Sequence, residues 1–319
     1  MVETQIKERL PRASNCILLS LFVAGMIISA SVAATQDEPP DPNFVQYRPS
    51  PRVRAIPHIA YAKYSERTLL LDLYLPSPAR RRIPGVIVVR GGGWMVNDRK
   101  RFAHVASALA ERGVAAACIE YRMADEAAFP GAIQDVKAAV RWMRANATKY
   151  GIDPEMIGTL GGSSGAHMAL LAGLTPGIAD LEGNGGNADT SSRVQAVVAM
   201  ATPTDLLGLS ANNKLTVGAF LHATPEEDIE KWRWASPINH ISPAGPPVLL
   251  LHGANDDSVS TSQSTEFAKR YRESGARVEV QILADAPHAF WNYLPWFTDA
   301  VERAARFFLE VAKQDKSGT

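Results

Sequence analysis

Residues 160–167, "LGGSSGAH", set two consecutive serines between glycines and place a histidine just beyond them. A serine hydroxyl becomes a nucleophile when a base takes its proton and nearby donors hold the negative charge that follows. The stretch therefore asks which serine is activated, and by what. Gly161-Gly162-Ser163-Ser164-Gly165 fits G-x-S-x-G, the elbow that presents a nucleophilic serine between a strand and a helix. The longer run "MIGTLGGSSGAHMALLAG" has that strand–turn–helix character. The serine of such an elbow sits in a strained backbone conformation. The positions two before and two after it approach other backbone so closely that side chains clash. Glycine at 161 and 165 favours Ser163. The alternative register gives Ser164 the neighbours Gly162 and Ala166 and stays open on spacing alone. With Ser163 attacking, the backbone N–H of Ser164 is the expected oxyanion donor and its hydroxyl is dispensable.

A second set of donors belongs after an earlier strand, and "GVIVVRGGGWMVND" supplies Gly91, Gly92, Gly93 and Trp94 there. Bare glycines let backbone N–H groups approach a developing oxyanion, each worth about 2.7–4 kcal/mol in the transition state. Gly92 and Gly93 are therefore candidate donors beside Ser164. For the base, His167, His222, His240, His252 and His288 all follow Ser163. An elbow of this kind is followed along the chain by an acid and then a histidine. "PVLLLHGANDDSV" is a strand running into a loop with Asp256 and Asp257, and only His288, in "ADAPHAFWN", lies beyond it. His288 is the expected base. Asp256 is the leading acid, with Asp257 and Asp205, at the end of "AVVAMATPTD", as competitors. His167, one helical turn past Ser163, reads as a packed structural residue, and His252 as a brace for the acid loop. Trp94, Trp232, Trp234 and Trp291, with Phe290, are candidate pocket-lining residues, although burial in the core is the commoner fate of aromatics. Zinc spacings such as H-E-x-x-H or paired C-x-x-C do not occur, no P-loop appears, and the glycines at 183–186 follow no strand. No metal or cofactor site is expected.

These residues need a scaffold that alternates strands and helices. Apolar β-rich runs at 68–75, 85–90, 114–121, 156–161, 194–201, 247–253 and 278–283 read as strands. Helices are expected over 100–112, 131–150, 164–173, 261–274 and 296–313; "AIQDVKAAVRWMRANATKY" carries the i, i+3, i+4, i+7 apolar pattern. Continuous apolar strands between helices predict an α/β fold with a mostly parallel sheet covered on both faces. Residues 206–240 interrupt this rhythm with a long segment containing Trp232 and Trp234, which reads either as a small helical cap or as a crossover packed in the core.

The chain has 319 residues with 33 basic and 33 acidic side chains, so no net field favours nucleic acid or an anionic membrane. Lys7, Arg9 and Arg12 precede an apolar run from Cys16 to Val32 and the small residues of "SVAAT". That order reads as a secretory signal over residues 1–33, cleaved after Ala33 or Ala34, with an uncleaved membrane anchor as the alternative. The expected location is secreted or periplasmic, without stable membrane association once the signal is removed. Residues 34–57 are Pro-rich and polar and read as a linker, leaving 58–315 for the catalytic domain. Of the two cysteines, Cys16 leaves with the signal, and Cys118 in "VAAACIEY" reads as a buried strand thiol.

From about residue 58 to 312 the sequence resembles the α/β-hydrolase esterases related to hormone-sensitive lipase. Within them it is most similar to the branch that includes the BD-FAE feruloyl esterases and acetyl-xylan-type carboxylesterases. The matching residues are "LDLYLP" (71–76), "GGGW" (91–94), "EYR" (120–122), "FPGAIQDVKAAVRWMRANATKYGIDP" (129–154), "GGSSGAH" (161–167), "ASPINHI" (235–241), "LHGANDDSV" (251–259) and "PHAF" (287–290). The resemblance implies an α/β-hydrolase fold with an eight-stranded sheet, places the nucleophile on Ser163 and places the acid on Asp256. It implies a serine carboxylesterase acting on a short acyl or carbohydrate-linked ester, a small-molecule partner and no cofactor. An arylformamidase-like amide hydrolase, or a non-catalytic ligand-binding relative, is the alternative. One residue departs from the pattern: the glycine motif usually begins with histidine, and here Arg90 precedes the three glycines.

Overall fold

Eight strands form one sheet in the computed structural model, which describes residues 41–80, 82–96 and 98–317. They are β1 (Val53–Tyr64), β2 (Arg67–Pro76), β3 (Ile83–Val89), β4 (Ala115–Ile119), β5 (Ile152–Gly162), β6 (Ala196–Met200), β7 (Val248–Gly253) and β8 (Val278–Leu283). Their order is β1-β2-β4-β3-β5-β6-β7-β8. β1 pairs antiparallel with β2 and β2 antiparallel with β4; every later pair is parallel. The helices are α1 (Ala103–Glu111), α2 (Gly131–Ala145), α3 (Ala147–Tyr150), α4 (Ser164–Leu174), α5 (Ala179–Glu182), α6 (Ala211–Leu221), α7 (Ile229–Ala235), α8 (Ser262–Glu273) and α9 (Trp296–Ser317). The mostly parallel eight-stranded α/β sheet expected from the sequence is the one observed.

The two-residue period of a strand divides its apolar side chains between two cores. On β3, Ile87 and Val89 join one core while Val86 and Val88 join the other; on β6, Val197 and Ala199 separate likewise from Val198 and Met200. The first core takes the apolar faces of α2, α4, α6 and α8, and the second those of α1 and α9. Both faces are thus covered by helices, which is why the central strands read as uninterrupted apolar runs. The "EYR" residues tie the first core together. Arg122 makes a forked pair with the fully buried Asp135 of α2 (2.9 and 3.1 Å) and stacks over Tyr64 at 3.6 Å. Glu120 accepts from the Leu70 amide (3.2 Å) and pairs with Arg99, which also pairs with Asp72 at 3.0 Å.

Three expectations change. β1 begins at Val53, inside the segment read as linker, and residues 43–45 are also docked. Phe44 bridges Tyr293, the Val45 amide donates to Asn292 (2.7 Å) and the Leu294 amide to Asn43 (2.8 Å). β1 was hidden because it is an edge strand with mostly exposed or half-buried positions, where backbone pairing needs no apolar alternation. Pro57 and the register shift between Ile56 and Ile59 further mask its period. The helix expected over 131–150 ends at Ala145, and a separate turn, α3, closes at Gly151 in the left-handed conformation (φ 72°). Residues 206–240 form α6, α7 and a short 3-10 turn, Pro237–His240. Val217, Phe220, Leu221 and Trp232 from this insertion are fully buried members of the first core, so it is a packed helical crossover between β6 and β7. Cys118 is a buried free thiol, and burial raises its pKa. The leader read over 1–33 lies outside the described residues. Among the described residues no helix is long and apolar enough to cross a membrane.

Because the Trp232 indole is fully buried and its N–H donates to the Ala223 carbonyl (3.0 Å), the insertion must unfold with the sheet. Trp232→Ala is expected to cost about 3–5 kcal/mol, read as a lower urea midpoint with the transition still single and cooperative. A separate early transition would show that the insertion folds apart from the core.

Candidate active site

The candidate residues come from four strand ends on the parallel part of the sheet. β5 ends in Gly162, and the next residue, Ser163, has φ 54° and ψ −126° before α4 begins at Ser164. A non-glycine residue there carries strain of about 1–3 kcal/mol, which persists only where surrounding structure dictates the conformation. Here it does. The Ser163 amide donates to the Met200 carbonyl of β6 (2.8 Å), and its carbonyl accepts from the His167 amide (3.0 Å). A Cβ at 161 would lie 2.2 Å from the Gly165 carbonyl oxygen, and one at 165 would lie 2.1 Å from that of Val89. Only glycine fits at either position, and both flank Ser163 at the spacing that favoured it.

His288 and Asp256 reach this serine from the loops after β8 and β7. His288 Nε2 is 2.9 Å from Ser163 Oγ, and Nδ1 is 2.9 and 2.8 Å from the two carboxylate oxygens of Asp256. With Nδ1–H donating to the carboxylate, Nε2 is free to accept the serine proton. The two loops are stitched backbone to backbone: the Ala254 amide donates to Leu283 (2.8 Å) and that of Asn255 to Ala286 (3.0 Å). The Asp256 side chain is inaccessible to solvent. Burial opposes its ionisation, but hydrogen bonds from His252 and His288 and from the Val259 amide outweigh that and hold its carboxyl well below the usual carboxylate range. Asp257 is exposed and Asp205 accepts from the Leu207 amide (3.1 Å); among the described residues neither is bonded to His288. His252 is the brace the sequence pointed to. Its Nε2–H faces the Val259 carbonyl (2.9 Å) and Asp256 Oδ2 (3.1 Å), while Nδ1 accepts from the Ser264 hydroxyl (2.7 Å).

Opposite the serine, Gly92 (φ 133°), Gly93 (φ 59°) and Trp94 (φ 61°) turn the chain sharply after β3. Among the described residues the amides of Gly92 and Gly93 have no backbone acceptor. Ser164, at the N-terminus of α4, adds an amide that a helix leaves without an intrahelical partner. Gly91, Gly92, Gly93, Ser163 and His288 share one cleft of about 260 Å³ with Arg101, Phe102, Ala289, Trp291 and Asn292. Gly92, Gly93, the serine and the histidine thus line one small space, with Ser164 next along the chain, an arrangement that could support acyl transfer.

The four tryptophans separate. Trp291 lines the cleft, with its ring edge-on to His288 (5.9 Å between centroids) and its carbonyl held by the buried His104 (3.0 Å). Trp94 is buried, stacked on Phe220 (5.1 Å), and donates from its indole to His167 Nδ1 (3.3 Å). Trp232 is core, as is Phe290, and Trp234 packs on His240 away from the cleft-lining set. Type and position in the sequence could not separate these because whether an indole meets a cleft or a core is set by residues distant along the chain. His167 is the packed residue expected: burial lowers its pKa to about 4, and its Nε2–H donates to the Ala235 carbonyl (2.8 Å). One expectation is corrected. The Ser164 hydroxyl is not idle, since it accepts from the Trp94 amide (3.3 Å) and ties the glycine loop to α4.

A strained serine after β5, an acid after β7, a histidine after β8 and a glycine loop after β3, on an eight-stranded mostly parallel sheet, define an α/β-hydrolase. The chain belongs to the BD-FAE family, whose model matches residues 71–271. It is 33% identical over 250 residues to the esterase LipQ of Mycobacterium tuberculosis, an alignment covering 73% of this chain and 59% of LipQ. The chain thus spans little more than half the length of such curated relatives. Among solved structures it is similar to a truncated carbohydrate esterase from gut microbiota, with a TM-score of 0.74, 30% identity, and coverage of 82% of this chain and 96% of that one. It is also similar to the esterase Est2 of Thermogutta terrifontis with propionate bound (TM-score 0.68, 27% identity, coverage 84% and 97%).

Two expectations follow from the geometry. Ser164→Ala removes the Trp94 tether and should cost about 0.5–1.5 kcal/mol of stability, with kcat lowered by up to about tenfold at constant KM; unchanged stability and kcat would show the tether to be idle. The Asp256 carboxyl titrates near 3.8 when unfolded and lower when folded. As pH falls below that value the unfolded chain gains a proton before the native one does, so the contribution is present at neutral pH and lost in acid. The urea stability difference between the protein and Asp256→Asn should therefore be constant from about pH 7 to 5 and shrink by about pH 3.

Proposed function

We propose that the protein is a serine carboxylesterase that hydrolyses short-chain acyl esters, including esters carried on carbohydrate. The observation that carries this reading is the relay of 2.8 Å from Asp256 to His288 and 2.9 Å from His288 to Ser163 at one side of the cleft. In the proposed cycle Ser163 Oγ attacks the ester carbonyl carbon and His288 Nε2 takes the serine proton. The carbonyl oxygen becomes an oxyanion and is held by the amides of Gly92, Gly93 and Ser164. Collapse of the tetrahedral intermediate breaks the bond to the alcohol oxygen, to which His288 returns the proton. Water then attacks the acyl-serine by the same base, releasing the acid and restoring Ser163. Asp256 stays ionised throughout, orienting His288 and stabilising its imidazolium form.

A small cleft walled by Phe102 and Trp291 and floored by bare glycine backbone supports a short acyl group. The propionate in the Est2 structure and the carbohydrate esterase among the structural neighbours support the same substrate range. Ser163→Ala is expected to lower turnover of p-nitrophenyl acetate or butyrate by as much as about a million-fold and to abolish labelling by a fluorophosphonate probe. Retained turnover would refute the assignment. Within a series of p-nitrophenyl esters, kcat/KM should be highest at two to four acyl carbons and fall at longer chains; a maximum at eight or more would refute the short-chain reading.

A further inference from the structure

Four cationic side chains are buried among the described residues: Arg90, Arg99, Lys137 and Arg141. Three of them have carboxylates. Arg99 pairs with Asp72 and Glu120, while Lys137 and Arg141 share Glu182 (2.9 and 3.1 Å). Arg90 is only 1% exposed and has no carboxylate partner among the described residues. Its Nη1–H donates to the Gly91 carbonyl (2.7 Å), its Nη2–H points at the Met123 sulfur (3.3 Å), and its guanidinium lies over the Tyr121 ring (4.9 Å). Its Nε has no acceptor. Burial pushes its pKa down, against smaller opposing pulls from Tyr121 and from the Asp98 carboxylate, which is not bonded to it. A buried unpaired charge is costly and is replaced by apolar side chains without loss of stability where it serves no purpose.

We infer that Arg90 is a positioning residue for the oxyanion hole, acting through the peptide unit shared by Gly91 and Gly92. The Gly91 carbonyl that accepts from Arg90 and the Gly92 N–H belong to the same amide. A charged donor on the oxygen withdraws electron density from that amide and strengthens its N–H as a donor, as hydrogen bonds in series polarise one another. The same bond fixes the tilt of the peptide, so that its N–H is set before substrate arrives. No carboxylate is bonded to Arg90 in the resting protein, and the negative charge it stabilises through this amide is then the oxyanion, which exists only in the transition state and the tetrahedral intermediate. The backbone supports this role. The Arg90 carbonyl accepts from the Tyr121 hydroxyl (3.0 Å), so both ends of the residue are held.

This inference rests on the esterase reading, and its test separates the two. In Arg90→Met the side chain keeps its length and loses its charge, so kcat should fall about 10- to 100-fold, less than for loss of an oxyanion donor itself. KM should stay within about threefold. Inhibition by phenylboronic acid, whose boron becomes tetrahedral and anionic when Ser163 Oγ bonds to it and His288 takes the proton, should weaken by a similar factor. The melting temperature should be unchanged or higher. Arg90→Lys, which keeps the charge, should recover part of the lost kcat. Rates are expressed per site titrated with fluorophosphonate, which excludes misfolded enzyme. Wild-type kcat in Arg90→Met would overturn the inference, as would losses that disappear on site titration or a fall in kcat without weaker boronate binding. Phosphonylation itself supplies a readout independent of ester turnover: Ser163 Oγ bonds to phosphorus, fluoride leaves, and the proton goes to His288. If the protein hydrolyses no ester yet is labelled, the esterase reading fails alone, and a slower labelling rate in Arg90→Met still supports the inference. If the protein is not labelled at all, both fall.

Discussion

The close approach of α4 to the end of β3 is the constraint on which the site depends. Gly165 packs its Cα against the carbonyls of Val89 and Arg90, and a Cβ there would lie 2.1 and 2.5 Å from those two oxygens. This single approach brings the first amides of a helix and the glycine loop after a strand to the same space. It therefore places both groups of candidate amides relative to Ser163, which lies between them along the chain. Nothing comparable could be achieved by side chains alone, since rotamers of long residues would leave the donors about an ångström adrift, enough to erase much of the benefit. The parallel sheet supplies the rigidity, because β3 and β5 are neighbours through six registered pairs from Ile83 to Val89.

Around this approach the strain is offset by buried histidine braces. His104, His167 and His252 are all buried, and each uses a ring nitrogen to hold a backbone carbonyl near the site: Trp291, Ala235 and Val259 respectively. Burial lowers the pKa of His104 and His167, so both stay uncharged at neutral pH. The half-buried His288 differs from them in facing a buried carboxylate on one nitrogen and a hydroxyl on the other. Its environment, rather than its residue type, makes it the candidate base.

Such differences explain what could be read from the chain and what could not. The elbow was legible because glycine at 161 and 165 answers a steric demand that no other residue meets, and the order of serine, acid and histidine follows from successive strand ends on one sheet. Asp256 stood apart from Asp257 less clearly, since two adjacent carboxylates differ only in which one the loop turns inward. The central strands were legible from burial on both faces, whereas β1, exposed along one edge and broken by Pro57, left no apolar period to find. Of the four tryptophans only Trp291 lines the cleft. Whether an indole faces a cleft or a core depends on residues distant in sequence, such as Phe220 against Trp94 or Phe102 against Trp291. The tether from Ser164 to the Trp94 amide was equally invisible, because it links positions 70 residues apart.

The insertion between β6 and β7 takes on a different meaning once the glycine loop is seen to be held from several sides. Phe220 of α6 stacks on Trp94, and the Thr216 methyl lies 3.1 Å from where a Cβ on Gly93 would project. The Phe129 amide donates to the Phe220 carbonyl (3.0 Å), and the Ala235 carbonyl at the end of α7 accepts from His167, the same histidine that accepts from the Trp94 indole. A lid must separate from the site at low cost, but α6 and α7 contribute Val217, Phe220, Leu221 and Trp232 to the main core with no exposed surface. Opening them would expose side chains worth about 1.5–3 kcal/mol each. Their packing instead makes them a buttress for the loop that carries Gly92 and Gly93. Three consecutive residues with positive φ, Gly92, Gly93 and Trp94, are kept in place by Arg90 through Gly91, by Ser164 through the Trp94 amide, and by α6 through the Trp94 ring. The loop's bare backbone is therefore held by the protein's own contacts.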